Sequence, residues 1–423
     1  MSDKRRDTKG RLLKSGERQR EDGKYEYRYY DQKGVRRSVY SWKLVDTDKL
    51  PPGKRCKESL RSIEKRIRRD IEDGIQTQVA EQTTLNLHYE KYIATKKEIK
   101  ESTRENYKYM YDKYVREEIG YMKLVNIKFS DIRAFYLSLI HEKGFKPNSI
   151  EIIHSILHPI FDTAVRDCII RLNPTDGVIK EIKKTHNWKK TKRKALTETQ
   201  QSAFISYVSS STTYKHWYPL FVVLLGTGCR IGEVLGLRWQ DCDFAEGIIS
   251  INHNLIYRKR ENTGKMGFSI TTPKTDAGMR IIPMLEDVKQ VLLQERIRQM
   301  TEGFNDTVIE GYTGFIFSSR YGDALNPHCV NRAIQRICRD YNLQETENAK
   351  AEKRPPQLLP HFSCHNLRHT FCTRYCKVER DLKAIQEVMG HASITTTMDI
   401  YNESSQESKI VSFAHLEGKI QVC

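Results

Sequence analysis

The sequence predicts a mainly α-helical chain with small β-sheets, an α+β fold class, and three of its features lead there. From Thr83 to Val178 apolar residues recur at helical spacing, most plainly at Ile150, Ile153, Ile156 and Ile160. Near the N-terminus, Lys24–Tyr30 and Val35–Trp42 alternate like strands around the turn Asp31-Gln32-Lys33-Gly34. After residue 195, helices expected at Arg230 and from His365 to Met389 flank strand-like runs at Ile248–Ile256, Phe268–Thr272 and Arg280–Pro283. At 423 residues the chain is long enough for two or three domains with cores of their own.

Taken in order, residues 1–80 form a first unit. It holds an excess of nine positive charges, half of the chain's +18. A helix is expected from Lys57 to Asp73, with Leu60, Ile63, Ile67 and Ile71 on its inner side and arginines on the other. The two strands would form a small sheet backed by that helix and displaying Arg28, Arg36, Arg37 and Tyr40. Residues 83–179 read as four or five helices. Ser102-Thr103-Arg104-Glu105 is a capping-box pattern, Ser130 and Asn148 are further N-cap candidates, and Gly144 and Pro147 separate two helices. Residues 180–194 are dense in lysine and lack an apolar period, so a basic linker is expected, with Lys189, Lys190, Lys192, Arg193 and Lys194 following a polyanion backbone. Thr197-Glu198-Thr199-Gln200 is another capping box and opens the third unit, 195–409. Within it, Tyr257–Gly267 and Gln344–Gln357 read as loops. A short tail, 410–423, carries Ile410, Val411, Phe413, Ala414 and Leu416, an apolar pattern that must pack somewhere.

Composition narrows the function class. A net charge of +18 and a pI near 9.3 imply a polyanionic partner, with nucleic acid the leading candidate. Met1–Lys14 has charge but no apolar stretch of a signal peptide, and the longest apolar run, Tyr218–Leu225, is far too short to span a bilayer. No membrane is expected, and the chain reads as intracellular. Its ten cysteines are scattered without a C-x-x-C pair, so reduced thiols and no metal site are expected.

The residues suited to chemistry cluster in the third unit. His365 and Arg368 lie three apart on an expected helix, while Leu367, Phe371 and Tyr375 repeat on another face. Leu382, Ile385 and Met389 mark a further helix, which Gly390 would end in a left-handed conformation, leaving His391 just beyond it and facing a cleft or solvent. Tyr401 follows on a polar, threonine-rich stretch. Upstream, Arg230 follows the apolar run and opens a helix, so that its guanidinium and the helix N-terminus would face one anion. Glu233, one turn on, would orient that arginine or cap the helix. Thr272-Pro273-Lys274-Thr275-Asp276-Ala277-Gly278 reads as a hairpin turn joining Ile248–Ile256 to Arg280–Pro283 or to Phe268–Thr272.

Arg230 in a T-G-x-R-x-x-E setting, Lys274 in a turn, His365-x-x-Arg368, Gly390-His391, and Tyr401 ten residues later stand in an order that resembles the tyrosine recombinases. The P-K-T turn and the basic N-terminal segment are similar to those of phage and conjugative-transposon integrases. The resemblance implies an N-terminal domain for arm DNA sites, a helical domain gripping the core site, and a catalytic domain holding Tyr401, Arg230, Lys274, His365, Arg368 and His391. In such an enzyme Tyr401 attacks a phosphodiester and forms a 3′-phosphotyrosyl link, and the two arginines clamp the transition state. Lys274 protonates the leaving 5′-oxygen, His365 assists at the nucleophile, and His391 hydrogen-bonds the phosphate. Two arginines suit that task because each planar fork fits phosphate oxygens bidentately.

The resemblance also implies double-stranded DNA as partner, a homotetramer working through a Holliday junction with exchange of C-terminal tails, and an excisionase-type accessory protein, all in a bacterial cytoplasm. No cofactor is expected, because the phosphotyrosyl link keeps the energy of the broken bond. A type IB topoisomerase-like nicking-closing enzyme, or a catalytically silent DNA-binding regulator on the same scaffold, are the alternatives. One departure stands out: many relatives carry histidine two residues after the nucleophile, where this chain has Glu403.

Overall fold

The computed structural model describes residues 5–31, 34–56, 58–99, 101–185, 194–259, 264–273, 276–319 and 321–400. The chain divides into two compact units, 1–191 and 192–423. The α+β expectation holds: helices dominate both units, and the sheets are small and antiparallel. No described helix is long and apolar enough to cross a membrane.

The first unit opens with a three-stranded sheet, β1 (Glu17–Gln19), β2 (Tyr25–Tyr30) and β3 (Arg36–Ser41), covered by α1 (Leu60–Glu72). Alternation sorts its faces. Tyr25, Tyr27, Leu44 and Leu60 form the small core, while Arg18, Glu26 and Tyr40 lie in register across the open face. Glu26 is 3 % exposed at the centre of that face and accepts from Arg18, from Arg28 at 3.0 Å and from Tyr40 at 3.4 Å. Burial works to raise its carboxyl, but the bonds from Arg28, Ser38 and Arg18 outweigh it and hold the group down at about 2. Arg37 departs from expectation: it stands opposite Tyr29, on the helix side, and binds Asp31 at 3.1 Å. The inner stripe of α1 also differs. Ile71 is 36 % exposed, whereas Glu64 and Asp70 are buried, and Arg171 reaches Asp70 at 2.6 Å.

The helical part comprises α2 (Thr77–Gln82), α3 (Leu85–Thr95), α4 (Glu101–Tyr114), α5 (Phe129–His141), α6 (Pro147–Arg166) and α7 (Val178–Thr185) around one core that includes Ile150, Ile153, Ile156 and Ile160. Three expected caps are displaced. Ser102 lies inside the first turn of α4. Lys128 caps α5, its backbone N–H donating to Asp131 at 2.8 Å, so Ser130 is already helical. Lys146 precedes α6, whose first residue is Pro147, so Asn148 is helical too. The expected linker begins inside α7, where Val178 and Ile182 are buried, because lysines at 180, 183 and 184 leave one apolar stripe intact. Of its cations, Lys189, Lys190, Lys192 and Arg193 lie outside the described residues; the exposed Lys194 is described.

The second unit is built around α9 (Tyr218–Thr227), an almost wholly apolar helix preceded by α8 (Glu198–Ser210). Thr197 caps α8 through the expected box: its hydroxyl accepts from Gln200 N–H at 3.2 Å, and the Gln200 side chain accepts from Thr197 N–H at 3.1 Å. After α10 (Ile231–Gly236) come β4 (Cys242–Asp243), β5 (Ile248–Ile251), β6 (Asn254–Lys259), β7 (Met266–Thr271) and β8 (Arg280–Pro283). Among the described residues β5 pairs with β4 and β8, whereas β6 pairs with β7 alone. The 272–278 segment is therefore no hairpin turn; it joins strands of two different sheets. The remaining helices are α11 (Glu286–Glu302), α12 (Pro327–Ala351), α13 (Cys364–Val378) and α14 (Leu382–Met389), and residues 394–400 are also helical. Two expected loops are corrected: β6 and β7 run well into Tyr257–Gly267, and α12 continues through residue 351 with Glu345 and Ala349 buried. Good helix formers across 344–351 extend α12 without a long apolar period.

Candidate active site

Arg230 is the N-cap of α10, in extended backbone at φ −69° and ψ 146°. Gly228 makes this position possible: it ends α9 at φ 62°, and a Cβ there would meet Phe371 at 2.3 Å and Met389 at 3.0 Å. Glu233 orients the arginine with both oxygens, accepting from its Nη1 at 2.8 Å and from its backbone N–H at 2.9 Å. Arg230 Nη2 donates to Gly390 O at 2.9 Å, which ties α10 to the end of α14. Both expected uses of Glu233 are thus present. Gly232 lets α10 approach β6 closely, since a Cβ there would lie 2.7 Å from the backbone oxygen of Leu255.

Arg368, on α13, points inward and is 4 % exposed. It donates to two backbone carbonyls, Gly228 O at 2.7 Å and Met389 O at 2.6 Å, and to no carboxylate among the described residues. Burial, and then the charges of Arg230 and Arg280, push its guanidinium down to about 10. Its neighbour His365, one turn earlier, is exposed. Arg230, His365 and Arg368 line one cavity of about 390 Å³, with Asn254, Tyr257 and His328 on its other walls. A larger cleft of about 1210 Å³, lined by Trp217, Arg298, Phe304 and Arg336, contains none of these residues.

Gly390 ends α14 in the left-handed conformation, at φ 60° and ψ 44°. His391 differs from expectation: it is buried, 7 % exposed, its Nδ1 3.0 Å from the hydroxyl of the fully buried Thr397. The helix at 394–400 folds back over it. Burial, and then the charges of Arg368, Arg230, Arg280 and His365, push the imidazole down to about 4. It is therefore neutral at pH 7. Because its folded value lies below the ordinary 6.5, the unfolded chain binds the proton more tightly. The stability His391 contributes is fully present above pH 6.5 and is lost as pH falls toward 4, on the order of 3 kcal/mol. Thermal melts of the full chain should show Tm falling across that window, and His391→Gln should flatten the fall; an unchanged slope would place the proton uptake elsewhere.

One residue that sequence reasoning missed completes the cluster. Arg280, on β8, is almost wholly buried, its side chain 6 % exposed. It donates to Glu233 Oε2 at 2.9 Å, to Val388 O at 2.7 Å and to Gly278 O at 3.0 Å, with Cys229 Sγ at 3.6 Å. With isoleucine on both faces of this strand, the sequence period alone gives no signal for its orientation. Ile281 is exposed and Ile282 buried, so Arg280 shares the inward face with Ile282. Burial works to raise the Glu233 carboxyl, but Arg280 and Arg230 outweigh it and hold it below the ordinary range. Arg230 and Arg280 thus share the Glu233 carboxylate, while Arg368 beside them bonds only backbone carbonyls. Lys274 and Tyr401 lie outside the described residues. Nine of the ten cysteines are described, and all nine are free. Among the described residues no group of histidine, cysteine and carboxylate side chains is arranged to hold a metal ion.

The Phage integrase family profile matches residues 194–408, that for the DNA binding domain of Tn916 integrase matches 1–71, and that for the phage integrase N-terminal SAM-like domain matches 84–140. The chain belongs to the phage integrase family, the tyrosine recombinases. Its relatives include the transposase from transposon Tn1545 of Streptococcus pneumoniae and that from Tn916 of Enterococcus faecalis. Each is 34 % identical over 422 residues, spanning 100 % of this chain and 98 % of the relative. Among solved structures, the Tn1549 transposon integrase in complex with transposon right end DNA superposes with a TM-score of 0.65 at 28 % identity, over 77 % of this chain and 98 % of that one. The same integrase with a circular intermediate DNA gives 0.66 at 28 % identity, over 79 % and 100 %.

Proposed function

We propose that this recombinase is the integrase of a mobile element, cutting and rejoining double-stranded DNA at the element's ends. The observation that carries the reading is the charge imbalance of the site: three clustered guanidiniums and one carboxylate call for an anion, and a phosphodiester becoming a pentavalent phosphorane supplies it. Arg230 and Arg368 clamp the non-bridging oxygens, and Glu233 aims the first of them. Neutral His391 donates from Nε2 to the phosphate while Nδ1 accepts from Thr397. Tyr401 forms the new Oη–P bond as the P–O5′ bond breaks. The tyrosyl proton passes toward His365, and Lys274 gives one to the departing 5′-oxygen. The products are a 3′-phosphotyrosyl link and a free 5′-hydroxyl, and attack by the 5′-hydroxyl of a second strand reverses the step and exchanges strands. Metal and nucleotide are unnecessary because bond energy is conserved.

Residues 1–80 serve arm sites, with Arg28, Arg36 and Tyr40 on the open face of the sheet; 83–179 grip the core site; and Lys189, Lys190, Lys192, Arg193 and Lys194 follow the backbone between them and the catalytic domain, 195–409. The relatives' transposon ends and circular intermediate support a mobile-element substrate. A homotetramer exchanging tails at 410–423, an excisionase-type partner and a bacterial cytoplasm complete the reading. The experiment mixes two labelled duplexes bearing the element ends with the full chain. Recombinant strands passing through a four-way junction are expected; relaxation of supercoiled plasmid without strand exchange would overturn the reading in favour of a nicking-closing enzyme.

A further inference from the structure

Arg280 has no place in the reaction as written, yet its hydrogen bonds bind together the segments that carry the reacting groups. Its Nη2 holds Glu233 Oε2 at 2.9 Å, while the other oxygen of Glu233 holds Arg230. Its Nε holds Val388 O at 2.7 Å, two residues before the Gly390 carbonyl on which Arg230 Nη2 rests. Its Nη1 holds Gly278 O at 3.0 Å, at the end of the connection that carries Lys274. A Cβ at Gly390 would lie 3.0 Å from both Ala277 O and Arg280 Nη1, so these pieces are packed to contact and Arg280 fills the space between them. A guanidinium suits this place because its donors sit on three nitrogens spread across one rigid plane and so reach three separated acceptors at once, whereas an ammonium carries its donors on a single atom.

We propose that Arg280 is a positioning residue for DNA cleavage: it aims Arg230 at the scissile phosphate through Glu233 and ties Gly278 to the end of α14 at Val388. This rests on the reading of the site as a phosphodiester-cleaving centre. Arg280 itself touches no substrate. Its loss leaves Glu233 with one cation in place of two and frees the carbonyls of Gly278 and Val388, so the forked grip on the phosphate loosens while DNA binding elsewhere persists.

The test uses the full chain with Arg280→Met and, as the milder variant, Arg280→Lys, on nicked suicide duplexes with either a normal scissile phosphate or a methylphosphonate there. A methylphosphonate lacks the charge that Arg230 neutralises and depends less on its aim. With the normal phosphate, Arg280→Met should form covalent adduct about 10²-fold more slowly than wild type, with unchanged DNA affinity. Arg280→Lys should recover part of that loss, and on the methylphosphonate the gap between wild type and either variant should narrow at least tenfold. A gap of equal size on both substrates marks a merely structural role and overturns the inference, as do variants that cleave at the wild-type rate. Should Arg280→Met fold poorly, Arg280→Lys carries the same comparison. Wild type forming no adduct on the normal phosphate would instead bring down the parent reading, and this inference with it.

Discussion

Arg368→Met should lower the rate of strand cleavage by about 10³-fold while moving Tm by only a few degrees. The two effects separate because of how the arginine is held. In the folded chain Arg368 is buried against two carbonyl oxygens, with Arg230 and Arg280 nearby and no carboxylate of its own among the described residues. Its charge is costly there, which is why burial and its cationic neighbours depress the guanidinium to about 10. Methionine of similar length removes that cost but strands Gly228 O and Met389 O, at about 1–3 kcal/mol for each buried acceptor left unpaired. The opposing terms leave folding nearly unchanged. Catalysis has no such compensation: the charge stored without a partner is what the transition state uses, and losing one preorganised donor typically costs 10²–10³-fold, more where it is also a full buried charge. Cleavage kinetics beside thermal melts check this. A variant within tenfold of the wild-type rate would put the phosphate away from Arg368.

Much of the site was legible because its groups sit at positions that local rules define. Arg230 follows a left-handed glycine at a helix end, His365 and Arg368 are spaced by one turn, and Gly390 closes α14 as a C-cap should. What escaped the sequence depends on tertiary contact. His391 is buried only because the helix at 394–400 folds over it and brings Thr397 to its ring. Arg280 is a charged residue on a short strand, and a charge there ordinarily faces water; it turns inward because Glu233 and three other acceptors await it from distant segments. The misplaced N-caps have a local cause. Asp131 accepts from the Lys128 N–H, so α5 begins at Phe129, one residue before Ser130, and Pro147 opens α6 one residue before Asn148. Residues 344–351 look like a loop to a search for apolar period, yet their helix formers and the buried Glu345 extend α12. In the N-terminal sheet β2 and β3 were legible, but the three-residue β1 is too short to show an alternation; in the catalytic unit the expected run Ile248–Ile256 splits into β5 and β6, which pair with β8 and β7 respectively.

Tyr401→Phe should abolish covalent chemistry altogether, since no other hydroxyl is proposed to attack and phenylalanine keeps the ring but loses the only nucleophilic atom. DNA binding should survive, because the arginine cluster and the basic N-terminal domain are untouched. The measurement is a nicked suicide duplex carrying the element end, incubated with wild type and Tyr401→Phe in EDTA and run on a denaturing gel. A covalent protein–DNA band from wild type alone, with the 3′-phosphate attached and no divalent ion present, is the predicted result. A band from both proteins, or none from wild type on DNA it demonstrably binds, would contradict tyrosine chemistry at Tyr401.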